Sequence, residues 1–161
     1  MSFWDAERKV GEVAPLTEDL VATAERELGV LLPGELLRLL RRQNGGVVAD
    51  AWDACPADPN FWARDHVPFD TLFGIAPPDI PGPMTPLHTP YLVQEWDLPS
   101  SIVLLSGQGH WWIALDYRRR GRHGSPAVTW IDNEMDHEQT LAPDFHTFVE
   151  RLTSSSRFAT D

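Results

Sequence analysis

Ten of the fourteen prolines in this 161-residue chain lie between Pro56 and Pro99. Proline fixes φ and carries no amide hydrogen, so it breaks a helix from within and is kept out of central strands. Long regular elements are therefore excluded over most of that stretch, and the fold has to be built from what flanks it. A chain of this length buries about 70% of its unfolded surface, enough for one domain without a staple. Its single cysteine, Cys55, rules out an internal disulfide and fits a reducing compartment. The start, MSFWDAERKV, lacks the apolar core of a signal peptide, and no run reaches membrane-span length. A cytoplasmic location is expected.

Upstream of the prolines the pattern is helical. In PLTEDLVATAERELG, Thr17 can cap, Glu18 and Asp19 suit the positive end, and Gly29 can terminate; Leu20, Ala24 and Leu28 form a narrow apolar stripe. LLPGELLRLLRRQNGG predicts a second helix with Pro33 at its start and Asn44-Gly45-Gly46 as its stop. Leu36, Leu37 and Leu40 face inward, and Arg38, Arg41 and Arg42 outward. Within the proline-rich part, DTLFGIA (70–76) reads as a short strand. TPYLVQEW (89–96) reads as a short helix burying Leu92, Val93 and Trp96.

Downstream the chain turns to strands. SIVLLS is an apolar run, GQG a turn, and HWWIALDY alternates: Trp111, Ile113, Leu115 and Tyr117 point one way, His110, Trp112, Ala114 and Asp116 the other. After the polar turn RRRGRHGSP, AVTWID gives a third strand, completing a three-stranded antiparallel meander. APDFHTFVERL closes as a helix with Phe145, Phe148, Val149 and Leu152 on one face. Helices, then strands, then a helix predict an α+β fold, with helices packed on one face of a mainly antiparallel sheet. The Ser-rich end, 153–161, is expected to be a flexible tail.

Three segments carry a resemblance, in the same order along the chain. LGVLLPGELLRLLRRQNGG is similar to the Leu-Gly, Leu-Pro, helix, Asn-Gly-Gly opening of the SUKH superfamily. LPSSIVLLSGQGHWWIALDY resembles its Leu-Pro, apolar strand, Gly-x-Gly and aromatic strand ending in Leu-Asp. SPAVTWIDNE with LAPDFHTFVERL resembles its closing strand, polar loop and helix. The resemblance implies a single SUKH-like α+β domain over 1–152. Bacterial members are mostly immunity proteins that bind and neutralise a cognate toxin, and fungal relatives are linked to cell-wall-assembly signalling. It carries no common catalytic centre. His110 stands where many members have Asp, and the Trp-rich insertion at 51–66 is longer than usual.

The residues offer little chemistry of their own. His110 and Asp116 share a strand face but are about 20 Å apart if extended, whereas acid–base partners must approach to about 3 Å. Gly107-Gln108-Gly109 opens a strand, not a helix, and lacks a third glycine, so a tight turn is the reading rather than a phosphate cradle. The segment IDNEMDHEQ sets acids at 132, 134, 136 and 138, but has His137 and Pro143 where a calcium loop needs Gly and Glu; a solvated acidic loop is expected. Cys55 has no sequence neighbour that would activate it. No Gly-x-Ser-x-Gly is present, and neither a metal nor a cofactor is expected.

Charge and aromatics point to surface recognition instead. With 24 acidic against 13 basic residues the formal charge is −11, which repels nucleic acid and anionic lipid; it either serves solubility alone, the reading charge by itself favours, or steers a basic protein inward. Arg118, Arg119, Arg120 and Arg122 form the only basic cluster, a solvated hairpin tip or a contact for an acidic patch on a partner or second subunit. Trp anchors beside charges suit an interface, and capping of the second edge of the core is the alternative for each of them singly. The candidate partner-binding residues are Trp52, Trp62, His110, Trp112, Asp116, Arg119, Arg120, Asp132, Glu134 and Asp136. The expected partner is a cognate toxin, basic in charge, held by a monomer or weak homodimer. A regulatory or scaffold module is the alternative, and an enzyme centred on His110 the least favoured.

Overall fold

The computed structural model describes residues 2–158. Helix α1, Glu18–Leu28, starts where Thr17 Oγ1 accepts the Leu20 N–H at 3.2 Å and ends at Gly29, whose φ of 71° is left-handed. Its buried residues are Val21 and Ala24; Leu20 and Leu28 are only half-buried against the core. Helix α2, Gly34–Arg42, buries Leu36, Leu37 and Leu40 and leaves Arg38, Arg41 and Arg42 exposed, as its pattern predicts.

The Asn-Gly-Gly after α2 is more than a stop signal. Asn44 is 2% exposed, and its Nδ2 donates to Ala14 O and Ile75 O at 2.8 Å each, while its Oδ1 accepts the Ile75 N–H at 2.8 Å. One amide thus ties the N-terminal arm, the end of α2 and the proline-rich stretch together. A Cβ on Gly45 would stand 2.4 Å from Gly74 N, and φ is 88° there, so both backbone approach and conformation demand glycine.

Across the proline-rich stretch the strands are short. β1 (Gly46–Val47) pairs with β4 (Thr71–Leu72), and β2 (Ala54–Pro56) with β3 (His66–Pro68), both antiparallel. The strand expected over 70–76 shrinks to Thr71–Leu72, because beyond it Phe73 N–H bonds to Leu105 O at 2.8 Å and Ile75 to the Asn44 side chain. Helix α3, Thr89–Trp96, lies where predicted, with Thr89 and Leu92 buried. Trp96 corrects the expectation: it is 45% exposed, since the last turn of α3 meets an open groove beside Leu98, Ile131 and Asp136 instead of packed core.

The main sheet has four antiparallel strands in the order β5 (Ile102–Gly107), β6 (Trp111–Asp116), β7 (Ala127–Asp132), β8 (His137–Ala142). The expected meander had three. The fourth comes from the segment expected to be a solvated loop: Asp132 ends β7, Asn133–Asp136 turn, and His137 and Glu138 open β8. HEQTLA is mostly polar because the first four positions of this outer strand are not buried, so it offers no apolar signal.

Both faces of the sheet are covered. One packs Val103, Leu105, Trp111, Ile113, Leu115, Val128 and Trp130 against α1, α2 and α4 (Phe145–Arg151). The other packs Ile102, Leu104, Trp112, Ala114 and Ile131 against Phe73, Leu92 and Leu98. The alternation read along β6 is right, but the second face is a second apolar core, not a polar surface. At the β5–β6 corner a Cβ on Gly107 would lie 2.4 Å from Trp111 O and 2.5 Å from the Trp112 ring, so only glycine fits.

Helix α4 is capped by Asp144, which accepts the Thr147 N–H at 2.7 Å. The expected free tail is docked as far as it is described. Thr153 and Ala54 exchange backbone hydrogen bonds of 2.9 and 3.0 Å, Asp53 accepts the Ser155 N–H at 2.8 Å, and Phe158 stacks on His66 at 4.4 Å. Residues 159–161 of that expectation lie outside the described residues. No described helix is long and apolar enough to cross a membrane.

Candidate partner-binding surface

The β5–β6 and β7–β8 turns meet at one end of the sheet. Asn133 N–H bonds to His110 O and its Nδ2 to Gly109 O, both at 3.1 Å. Across this seam His110 Nδ1 and Glu134 Oε1 stand 2.6 Å apart, both side chains more than half exposed. A pair so exposed contributes at most about 1 kcal/mol to stability, so it does not hold the fold together. Asp136, at φ 49°, and Met135, 57% exposed, complete the tip.

The 58–65 loop flanks this end. Asn60 Oδ1 accepts the Trp62 and Ala63 N–H groups, and Gln139 of β8 exchanges hydrogen bonds with the Asp58 backbone at 2.9 and 3.2 Å. Thus fixed, Trp62 lies 6.1 Å from Trp111, which stacks on Trp130 at 4.9 Å. Trp62 remains half exposed and Phe61 is 71% exposed. An aromatic shoulder therefore flanks the sheet at Trp111, the β6 residue paired with Asp132. Phe61 and Met135 are absent from the partner-binding residues expected from sequence; their signal, large apolar groups inside polar turn segments, was there to be used.

The remaining expected residues divide. Asp116, Arg119 and Arg120 lie at the opposite end of the sheet. Asp116 is committed: Arg118 donates to it through Nε at 3.0 Å, Nη2 at 2.8 Å and its backbone N–H at 3.0 Å, and the Thr129 hydroxyl donates at 2.9 Å. Burial alone would raise its pKa, but these donors outweigh burial and hold the carboxyl below its ordinary range. Arg118 also reaches Glu138 at 2.6 Å, and the two carboxylates raise its already high pKa.

Trp112 and Asp132 do not belong to any surface. Trp112 is fully buried because its strand face is the second core, and Asp132 is 4% exposed, its Oδ1 accepting the Glu134 and Met135 N–H groups at 3.0 Å to shape the turn. Trp52 is half-buried against the main core, 6.3 Å from Phe3. Cys55 is buried, which pushes its thiol up to about 12 even with Arg151 nearby pulling it down. Burial likewise raises Tyr117, with Glu25 adding to it, and its hydroxyl donates to Leu31 O at 2.6 Å. Among the described residues no three His, Cys, Asp or Glu side chains are grouped to hold a metal ion.

A four-stranded antiparallel meander with helices against it makes this an α+β protein of SUKH type. The chain belongs to the SMI1 / KNR4 family (SUKH-1), whose model matches residues 15–151, from just before α1 to the last residue of α4. No curated protein matches the chain.

Proposed function

We propose that this protein is a bacterial immunity protein that binds a cognate toxin and neutralises it by stoichiometric occlusion. The observation that carries the reading is the turn end of the sheet, where Met135 stands exposed with His110, Glu134 and Asp136, and where the exposed Phe61–Trp62 segment reaches Trp111. Exposed aromatics supply contact energy, and acids on a −11 chain orient a basic partner such as a nuclease domain. Family membership supports it, since bacterial SUKH proteins are mostly of this kind. The protein acts from the cytoplasm, as a monomer or weak homodimer, with no cofactor.

The test is co-expression with the toxin encoded beside it, together with a pull-down. Survival accompanied by a one-to-one complex is expected, and Trp62→Ala with Glu134→Lys should abolish both. Survival without any complex overturns occlusion, and an association rate indifferent to salt overturns the electrostatic part. The family's fungal side favours a second reading, a regulatory scaffold; a gene with no toxin beside it and a host partner bound at the same turns would select that reading. A His110-centred enzyme is dismissed by full protection from His110→Ala.

A further inference from the structure

At the other end of the sheet a hollow of about 490 Å³ is walled by Arg118, Arg119, Arg120 and Arg151, with Asp116 and Glu138 at its side. Arg118 is neutralised by those two carboxylates. The other three differ: among the described residues no carboxylate comes within ion-pair distance of them. Arg120 is held instead by backbone carbonyls, its Nη1 donating to Pro143 O at 3.1 Å and Ser125 O at 3.3 Å. Arg151 is held in the same way, its Nη1 donating to Leu141 O at 2.5 Å. Neutral carbonyls fix a guanidinium without cancelling its charge, so ordering these side chains costs a ligand less.

We propose that this hollow binds a phosphate group as its dianion, free or as a monoester. Four guanidinia against two carboxylates leave the lining two positive charges in excess, on a chain that is otherwise strongly negative. The charge suits a dianion better than a carboxylate. Arg120 comes from the β6–β7 turn and Arg151 from α4, so guanidinia of two separate elements line the hollow, and their N–H groups suit an acceptor with several oxygens. The volume exceeds what a bare phosphate fills and leaves space for an ester substituent. The hollow extends along β8 as far as Glu138, but its arginines lie at the end away from Trp62 and Glu134, and the site stands whether or not the toxin assignment does.

The test is calorimetric and NMR titration of the whole protein with inorganic phosphate, glycerol 3-phosphate and acetate at constant ionic strength. Both phosphates should bind, and acetate about tenfold more weakly or worse. Tighter binding of glycerol 3-phosphate assigns a monoester, and tighter binding of inorganic phosphate assigns the free ion. Arg120→Ala should weaken phosphate about tenfold and Arg119→Ala, which disturbs no hydrogen bond, several-fold. Arg122→Ala removes the same charge outside the hollow and should change nothing. Acetate binding as tightly as phosphate, equal weakening by Arg122→Ala, or no effect of Arg119→Ala and Arg120→Ala in folded protein would each overturn the site.

Discussion

Replacing Asn44 is the sharpest probe of how this fold is held. Asn44→Ala removes three hydrogen bonds of 2.8 Å from a residue 2% exposed, and strands the Ile75 N–H and the Ala14 and Ile75 carbonyls. Each buried group left unpaired costs about 1–3 kcal/mol. With partial relaxation the loss is about 3–5 kcal/mol, a large share of the roughly 5–15 kcal/mol of a whole domain. Urea titration should show the midpoint falling by about 1–3 M with the slope unchanged. Asn44→Asp adds a sign. It keeps the acceptor for Ile75 N–H but sets a carboxylate oxygen against two carbonyl oxygens, so the folded state favours the protonated form and its pKa rises above the unfolded value of about 3.9. A group whose folded pKa is raised binds its proton more tightly when folded, so stability is lost as pH climbs from about 4 through the folded pKa. The deficit of Asn44→Asp relative to wild type should therefore be larger at pH 7 than at pH 4. A midpoint for Asn44→Ala close to wild type, or an Asn44→Asp deficit that shrinks with rising pH, would refute the reasoning.

Three further outcomes follow from burial and charge. Trp112→Ala should cost about 3–5 kcal/mol in thermal or urea unfolding, whereas Trp62→Ala, which loses one edge contact with Trp111, should cost about 1–2 kcal/mol, and similar losses for both would contradict their placements. Cys55, its thiol pushed up to about 12, should resist a disulfide-exchange reagent at pH 8 until urea unfolds the chain; prompt labelling of native protein would place it at the surface. Asp116 titrates below its ordinary range, so the stability it provides is present above about pH 4 and is lost as pH falls through the lower folded value. Asp116→Asn should accordingly flatten the acid limb of a midpoint-against-pH curve, and an unchanged limb would count against its coupling to Arg118.

The helices and the inner strands could be read directly because their signals are local. Thr17 and Gly29 bracket α1, Asp144 caps α4, and the period-two alternation of β6 assigned every residue to its correct side. What could not be read depends on partners distant in sequence. Alternation says that Trp112 opposes Trp111, but not that Phe73, Leu92 and Leu98 arrive to bury it. β8 was hidden because a strand whose first four residues are unburied carries no apolar code. The docked tail depends on Ala54, Asp53 and His66, about a hundred residues away. At the candidate surface the sequence named Trp62, His110, Glu134 and Asp136, which the turns gather, and also Trp112 and Asp132, which the interior keeps.

Cladding the sheet on both sides divides the chain into two kinds of position. A residue of the inner strands is locked between neighbours above and below, so altering it disturbs the whole scaffold. The exposed side chains at the corners, His110, Glu134 and Met135 among them, answer to no such packing and can be exchanged at little cost, while Gly107 and Asp132 keep the turns in shape. New binding specificities can thus be written into those corners while the frame beneath them stands still.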